Sequence, residues 1–209
     1  MNKLEHLLQP IKVRSLEIPN RVVMPPMGSN LGNTDGTVSE ANLAYFKRRV
    51  QSGAGFIITE ITSVHPDGTA SPRTLCVYDD RFIPGLAKMA DIVHQQGAKI
   101  AMQLHHVGRE GYYLLKEGKA LGPSAIASYI YRVKPREMTI EDIKETITAF
   151  GQGARRAREA GFDAVELHAA HGYLLMQFLS RHCNQRTDEY GGEFAGRARC
   201  AVVEESPLR

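Results

Sequence analysis

The chain has no tryptophan, few cysteines and no long apolar run. Its 209 residues include three cysteines, Cys76, Cys183 and Cys200. They lie far apart and lack Cys-x-x-Cys spacing, so neither a zinc site nor a disulfide framework is indicated. No segment approaches the ~18 apolar residues of a membrane span, and the N-terminus lacks the apolar run of a signal peptide. We therefore expect a cytoplasmic protein with no membrane partner.

Charge of one sign is also scarce. Lys and Arg number 26 against 23 Asp and Glu, and 43% of the residues are hydrophobic, as in an ordinary globular protein. The densest basic group, Arg155, Arg156 and Arg158, is interpreted as a solvated helix face, and nothing indicates nucleic-acid binding. No linker divides the sequence, which predicts one domain over residues 1–209.

Short apolar runs alternate with segments of helical periodicity. Near-continuous hydrophobicity over short runs, here three to five residues, is typical of strands buried on both faces of a parallel sheet. Helix signals stand between them, since Ser39 precedes one helix, Pro84 lies in the first turn of the next, and Thr139 with Asp142 caps a third. The predicted strands are Val22–Met24, Phe56–Thr59, Ile100–Leu104 and Ala164–Leu167.

This order predicts an α/β fold of four strand-helix units, with the fourth helix only beginning. Both an α/β barrel and a doubly wound sheet start in this way. The Gly-x-Gly-x-x-Gly turn of a dinucleotide-binding fold is absent after the first strand, where Pro25-Pro26-Met27-Gly28 stands instead, and this favours the barrel.

Polar residues recur at the carboxyl ends of the predicted strands, the face on which α/β barrels carry their active sites. Glu60 ends the second strand, Gln103 and His105 end the third, and His168 ends the fourth. Strand alternation directs Gln103 and His105 to one face and Glu166 and His168 to another. Both faces point into the barrel, where a charge such as Glu166 needs a partner.

After the fourth strand, His168, His171 and Tyr173 fall within one strand-to-helix turn. Two imidazoles can hold a carbonyl or phenolate oxygen and stabilise an enolate, and a phenol can supply a proton. This chemistry suits the reduction of an activated double bond.

Several of these residues have structural alternatives. A metal site would combine His168 and His171 with His105, His106 or Glu166, but no His-Glu-x-x-His spacing occurs. Gln103 and Glu60 are also interpretable as polar groups satisfied by backbone. Arg109 is either an anion contact or a loop charge, and Met24 and Met27 are expected to pack rather than bind.

From about Leu8 to Arg199 the sequence resembles the old yellow enzyme family of FMN-dependent oxidoreductases, which includes enoate reductases and 2,4-dienoyl-CoA reductases. The resemblance is most specific in two runs, His168-x-x-His171-Gly172-Tyr173-Leu174-Leu175-x-Gln177-Phe178-Leu179-Ser180 and Asn184-x-Arg186-x-Asp188-x-Tyr190-Gly191-Gly192. Others include Pro19–Met27, Ile58-Thr59-Glu60 and Gln103–Arg109.

The resemblance implies a (β/α)8 TIM barrel with an N-terminal β-hairpin, whose turn would be Val13-Arg14-Ser15-Leu16. It implies that NADH or NADPH reduces FMN and that the flavin then reduces an α,β-unsaturated carbonyl substrate. Pro25, Pro26, Met27 and Gly28 would pack along the flavin and Gln103 would bind its pyrimidine edge. His168 and His171 would hold the substrate oxygen, and Tyr173 would be the proton donor.

Two features depart from the family pattern. Many relatives carry Thr or Cys where this chain has Gly28, which cannot tune the flavin through a side chain. The chain also ends about four units into a barrel of ~250 residues, before the usual phosphate-binding loops. Longer relatives carry iron-sulfur cysteines, for which this chain has no ligands.

Three functions follow from these observations. The first is an ene-reductase in truncated form. The second is a catalytically inactive half-barrel, a gene remnant or a subunit that closes against a copy of itself or a separate second half, so a homo-oligomer is possible. The third is a metal-dependent barrel lyase that uses His168 and His171. We favour the first, without a metal.

Overall fold

The computed structural model describes residues 4–202, in which strands and helices alternate as an α/β fold. The strands are β1 (Ile11–Val13), β2 (Leu16–Ile18), β3 (Val23–Met24), β4 (Phe56–Ser63), β5 (Leu75–Cys76), β6 (Lys99–His105), β7 (Leu121–Gly122), β8 (Arg136–Glu137) and β9 (Ala164–Leu167). The helices are α1 (Glu40–Val50), α2 (Ile83–His94), α3 (Tyr112–Lys116), α4 (Ile140–Glu159), α5 (Leu174–Leu179) and α6 (Phe194–Ala198).

The predicted N-terminal hairpin is confirmed. Strands β1 and β2 pair antiparallel, with Ile11 opposite Ile18 and Val13 opposite Leu16. The turn between them places Arg14 at φ 52°, a left-handed conformation that lets a two-residue turn follow the twist of the strands.

The main sheet contains all four predicted strands in the order β3-β4-β6-β9, and β5 also pairs with β4. The pairing of β3 with β4 is parallel, with Val23 opposite Phe56. Parallel strands follow one another through helices, so their carboxyl ends share one edge of the sheet. The α/β class and the parallel pairing predicted from the apolar runs are therefore confirmed.

Helix starts are set by local hydrogen bonds. Ser39 caps α1 by accepting from the Asn42 N–H at 3.1 Å, and the Asn42 side chain accepts from the Ser39 N–H at 3.1 Å. Thr139 and Asp142 make the same exchange ahead of α4, at 3.1 and 2.7 Å. Each exchange satisfies backbone donors that an uncapped helix leaves free.

The chain forms two compact units, each with its own core. The first contains residues up to Thr62, Arg73–Gln103 and Arg156–Glu166, and the second contains Ser63–Pro72, Leu104–Arg155 and residues from Leu167. The one-domain organisation stays a prediction. Fully buried side chains of the first unit include Phe46, Ile57, Leu86, Met89, Ile100 and Met102, and those of the second include Leu104, Met138, Ile143 and Phe178.

Two interpretations of side chains need correction. Arg156 is not solvated, because its guanidinium binds Asp80 at 2.6 Å and the Val77 carbonyl at 3.3 Å, while Arg158 is exposed. Met27 does not pack, since 58% of it is accessible to solvent. Within residues 4–202, no helix is long and apolar enough to cross a membrane.

Candidate active site

The turn that follows β9 is built from a strand end, a tight backbone reversal and the start of a helix. The His168 N–H donates to the Leu104 carbonyl at 3.0 Å and so extends the sheet by one residue. His171 and Gly172 then adopt φ 54° and 77°, a conformation that reverses the chain before α5 begins at Leu174. A non-glycine residue held at positive φ, as His171 is, is typical of functional turns.

The two histidines predicted to bind the substrate oxygen lie side by side. His171 Nδ1 is 3.3 Å from His168 Nε2, and the ring planes stand at 85°. The Ala170 N–H donates to His168 Nδ1 at 3.3 Å, which puts the proton of a neutral His168 on Nε2. That proton points to His171 Nδ1, so His171 carries its own proton on Nε2, on an exposed ring.

Tyr173 completes the predicted trio. Its ring stands edge-to-face with the His168 ring at 4.9 Å between centroids. Burial raises the pKa of Tyr173 above its usual value, and the neighbouring Tyr131 and Glu110 raise it further. A phenol in this position keeps its proton at neutral pH and is ready to act as an acid.

A third imidazole, His105, belongs to the same cluster, and sequence reasoning gave it no role beyond that of a possible metal ligand. Its ring packs edge-to-face on Tyr173 at 4.5 Å and lies 5.4 Å from the His168 ring. It is 0% exposed, and neither ring nitrogen has a hydrogen-bond partner among the described residues. Burial lowers the pKa of His105 well below its usual value, so the ring is neutral. The sequence feature that could have assigned His105 to the site is its position at the carboxyl end of β6.

Gln177 links the turn after β6 to the turn after β9 through hydrogen bonds. Its amide nitrogen donates to the Gly172 and Val107 carbonyls at 2.7 and 3.3 Å, and its oxygen accepts from the Arg109 N–H at 3.2 Å. Gly108, at φ 62°, lies so close that a Cβ there would stand 2.5 Å from the Gln177 amide. The short segment that carries His171 and Tyr173 is thereby held in place.

Arg109 is not a free loop charge, because its guanidinium Nε lies 3.2 Å from Glu110 Oε1. The side chain is buried, and its guanidinium donates to the Ile126 and Ala127 carbonyls at 3.2 and 3.3 Å. Of the two interpretations that the sequence allowed, the free loop charge is wrong and the anion contact stays a prediction. Arg109 fixes the segment that precedes Ser128.

The residues predicted to bind the cofactor belong to the first unit. Pro25 to Gly28 directly follow β3, and Gly28 is exposed, with no atom within 4 Å of the position that a Cβ would take. Gln103 Nε2 donates to Glu166 Oε1 at 2.6 Å, so the partner required by Glu166 is a side chain rather than backbone. Gln103 Oε1 accepts no hydrogen bond from another described residue.

Glu60 lies in a polar network of the same unit. One carboxylate oxygen accepts from the Ser29 hydroxyl at 2.5 Å and from Asn42 Nδ2 at 3.1 Å, and the other accepts from the Ser29 N–H at 3.0 Å. Burial nevertheless raises the pKa of Glu60 above its usual value. The network links the loop after β3 to α1, which is a structural role.

The second run that resembles the family, from Asn184 to Gly192, forms a network of hydrogen bonds. Arg186 binds Asp188 at 2.6 Å and donates to the Pro123 and Met138 carbonyls at 2.9 and 2.6 Å. Asn184 Nδ2 donates to the Phe178 and Tyr190 carbonyls at 2.9 and 2.8 Å. These bonds hold the end of α5 and the segments before α4. No group of three potential metal ligands occurs within residues 4–202.

Comparisons with known proteins identify the family and the fold of the chain. Residues 6–205 match the NADH:flavin oxidoreductase / NADH oxidase family. The chain is 42% identical to an NADH oxidase of Thermoanaerobacter brockii over 95% of its own length and 31% of that protein. It is 45% identical to an NADPH dehydrogenase of Bacillus velezensis over 92% of its own length and 56% of that protein.

Solved structures give the same result. The old yellow enzyme of Pichia sp. AKU4542 superposes with a TM-score of 0.85 at 36% identity, over 94% of this chain and 54% of that one. A 2-naphthoyl-CoA reductase superposes with a TM-score of 0.89 at 32% identity, over 94% of this chain and 32% of that one. The chain spans about half of these relatives or less, and the barrel fold predicted from the resemblance is confirmed over that part. The chain belongs to the NADH:flavin oxidoreductase / NADH oxidase family, the family of the old yellow enzymes.

Proposed function

We propose that the chain is an FMN-dependent NAD(P)H oxidoreductase that reduces the C=C bond of α,β-unsaturated carbonyl compounds. The observation that carries this proposal is the cluster of His168, His171 and Tyr173. It combines two imidazole rings, which can donate N–H hydrogen bonds, with a protonated phenol within one turn. Oxygen binding and proton donation are the two tasks that such a reduction assigns to protein side chains.

The first unit supplies residues that fit a flavin. The free Oε1 of Gln103 suits an N–H of the pyrimidine ring, and its Nε2 is held in orientation by Glu166. The exposed segment Pro25-Pro26-Met27-Gly28 offers apolar groups and open space for a flat ring. When bound, FMN supplies the hydride that the substrate's β-carbon receives, after taking it from NADH or NADPH.

The residues of the second unit handle the oxygen and the proton. The exposed Nε2–H of His171 donates a hydrogen bond to the substrate oxygen, and the Nε2–H of His168 does the same when it exchanges its 3.3 Å contact with His171 Nδ1 for that oxygen. Both bonds draw electron density from the double bond and make the β-carbon electrophilic. As a hydride adds to that carbon, negative charge grows on the oxygen, where these donors stabilise it. Tyr173 then gives its phenolic proton to the α-carbon, and the phenolate regains a proton from water.

A test of this proposal starts from the purified chain titrated with FMN. We expect flavin absorbance to shift on binding, NADPH to bleach it without oxygen, and 2-cyclohexenone to restore it while cyclohexanone forms. A 4-substituted phenol that binds as its phenolate beside the flavin should give a charge-transfer absorbance band. The double variant His168→Ala with His171→Ala should abolish this band, because it removes the groups proposed to hold the phenolate oxygen. A chain that binds no FMN would count instead for the half-barrel subunit.

The half-barrel alternative makes its own measurable prediction. A catalytically inactive subunit would pair with a copy of itself or with a separately encoded half, and size-exclusion chromatography with light scattering would show a homogeneous oligomer. An unclosed sheet edge is an aggregation risk, so soluble aggregate would count against it. The cytoplasmic location stays a prediction, as does the absence of nucleic-acid and membrane partners.

A further inference from the structure

Four of the eight tyrosines lie between positions 112 and 131. We call Tyr112, Tyr113, Tyr129 and Tyr131 the tyrosine cluster. The Tyr112 ring lies 5.7 Å from Tyr113 and 5.3 Å from Tyr131 between centroids. All four remain accessible, from 36% for Tyr131 to 87% for Tyr129, although large aromatic side chains usually bury most of their surface.

Hydrogen bonds fix the backbone segments that carry the tyrosine cluster. Glu110 accepts a 2.6 Å hydrogen bond from the Ser128 hydroxyl, whose oxygen in turn accepts from the Ile130 and Tyr131 N–H groups at 3.2 and 3.4 Å. This bridge fixes the turn that carries Tyr129 and Tyr131 beside the segment that carries Tyr112. Ordered aromatic rings lose little entropy when they bind a partner, so the arrangement is suited to binding.

The cluster adjoins the proton donor. Helix α3 carries Tyr112 and Tyr113 and buries Leu114 and Leu115 in a small core with Val107 and Ala120, against which Tyr173 packs. Tyr131 and Glu110 also lie near enough to raise the pKa of Tyr173. A molecule whose oxygen is held at His168 and His171 can therefore extend toward the cluster.

Positive charge surrounds the same rings. The Lys116 ammonium lies 4.4 Å from the Tyr112 ring centroid, and the Arg132 guanidinium lies 6.0 Å from that of Tyr129. Lys119 is paired with Glu117 at 2.9 Å, whereas no ion pair is recorded among the described residues for Lys116, Arg132 or Lys134. The segment thus offers flat faces together with cations that lack a carboxylate partner.

We propose that the tyrosine cluster is the specificity surface for flat, conjugated carbonyl compounds that carry an anionic group far from the reacting double bond. The rings would stack on the conjugated body, and Lys116 and Arg132 would bind the anion. The proposal rests on the proposed function only for the end of the ligand that faces His168 and His171. Stacking and charge pairing are properties of the surface itself.

The experiment measures binding without turnover. The probe is 4-(4-carboxyphenyl)but-3-en-2-one, a flat enone with a carboxylate at its far end, and equilibrium dialysis against the full chain gives its Kd. Two analogues isolate the two contributions: the methyl ester lacks the charge, and the 4-carboxycyclohexyl analogue lacks the flat ring. We expect both analogues to bind about tenfold more weakly than the probe.

Matched variants locate the effect. Tyr112→Leu with Tyr131→Leu should weaken probe binding about tenfold and leave the cyclohexyl analogue unchanged. Lys116→Gln with Arg132→Gln should weaken the probe and leave the ester unchanged. Tyr45→Leu, a tyrosine of α1 in the first unit, is the control. Because the chain has no tryptophan, tyrosine fluorescence gives a second readout, and thermal melts verify folding.

The outcomes separate the two proposals. Selective binding by a chain that reduces no enone would support the specificity surface and count against the proposed function. Equal binding of all three ligands, unchanged binding by both double variants, or no binding at all would overturn the specificity surface. So would displacement of the probe by equimolar NADPH, which would assign the cluster to the reductant.

Discussion

Glu60 in the first unit and His105 in the second are both buried polar side chains, but their surroundings are opposite. The carboxylate of Glu60 receives hydrogen bonds from Ser29 and Asn42. The imidazole of His105 is in contact with the rings of Tyr173 and His168, and neither nitrogen has a partner among the described residues. Leaving a buried polar group without a partner costs about 1–3 kcal/mol.

The difference indicates what each group contributes. A satisfied buried carboxylate fixes the position of a loop, so its loss should reduce stability. The neutral imidazole of His105, without hydrogen-bond partners, lowers stability. What it contributes is an uncharged surface against which Tyr173, the proposed proton donor, packs. Substitution of Glu60 should therefore act mainly on stability, and substitution of Tyr173, which His105 contacts, should act mainly on rate.

The largest effect should follow from Tyr173→Phe. The substitution keeps the ring contacts with His105 and His168 and removes the proposed proton donor, so we expect enone reduction to slow by about 10²–10⁴-fold. NADPH-dependent flavin reduction, followed at the flavin absorbance band, should stay unchanged. Tyr45→Phe serves as the control. Equal slowing of both half-reactions would show that Tyr173 does not act in proton transfer.

Glu60→Ala tests the opposite side of the comparison. It leaves the Ser29 and Asn42 donors without their acceptor, and we expect the free energy of unfolding to fall by about 3 kcal/mol. The measurement is urea denaturation followed by circular dichroism. Glu40→Ala, an exposed change on α1, should alter stability by less than about 0.5 kcal/mol. Similar losses for the two variants would mean that the Glu60 network does not hold the loop.

Acid should destabilise the second unit through its buried imidazoles. Burial lowers the pKa of His106 to about 3, and the pKa of His105 lies well below its usual value. Below the unfolded value of about 6.5 the unfolded chain binds protons that the folded chain does not, so stability falls as pH falls. His106 alone should cost about 2 kcal/mol at pH 5.

Unfolding measured from pH 7.5 to pH 4 checks this slope. His106→Asn should reduce it, because Asn keeps an acceptor for the Gly108 N–H that His106 Nδ1 now binds at 3.1 Å and does not titrate. His182→Asn, a change at an exposed residue, should leave the slope unaltered. An unchanged slope in the His106 variant would place the acid sensitivity elsewhere.

The smallest effect on stability should come from Gly28→Thr. No atom lies within 4 Å of the added Cβ, so the free energy of unfolding should change by less than about 0.5 kcal/mol. In the proposed flavin site the added hydroxyl should shift the midpoint potential of bound FMN. Gly108→Ala is the contrast: its Cβ would stand 2.5 Å from Gln177 at φ 62°, and we expect a loss of about 2 kcal/mol. A large loss of unfolding free energy in Gly28→Thr would show that the space beside Gly28 is not open.

Much of the fold could be predicted because its signals are local. The Thr139 and Asp142 cap and the apolar strands each depend on residues a few positions apart, whereas the hairpin with its turn at Arg14 was predicted from the family resemblance. The roles of Arg109 and Arg156 could not be predicted. Their partners lie 17 and 76 residues away in the chain, and only packing decides which carbonyl or carboxylate a guanidinium meets.

The sequence by itself determined the order of the elements, the family and the turn that brings His168, His171 and Tyr173 together, because all three lie within a span of six residues. The tertiary structure alone decided that His105 joins them without a hydrogen-bond partner and that Gln103 is oriented by Glu166. It also decided that Tyr131 lies near Tyr173, the proposed proton donor. Such contacts arise between segments whose periodicity records which face is buried but not which neighbour covers it.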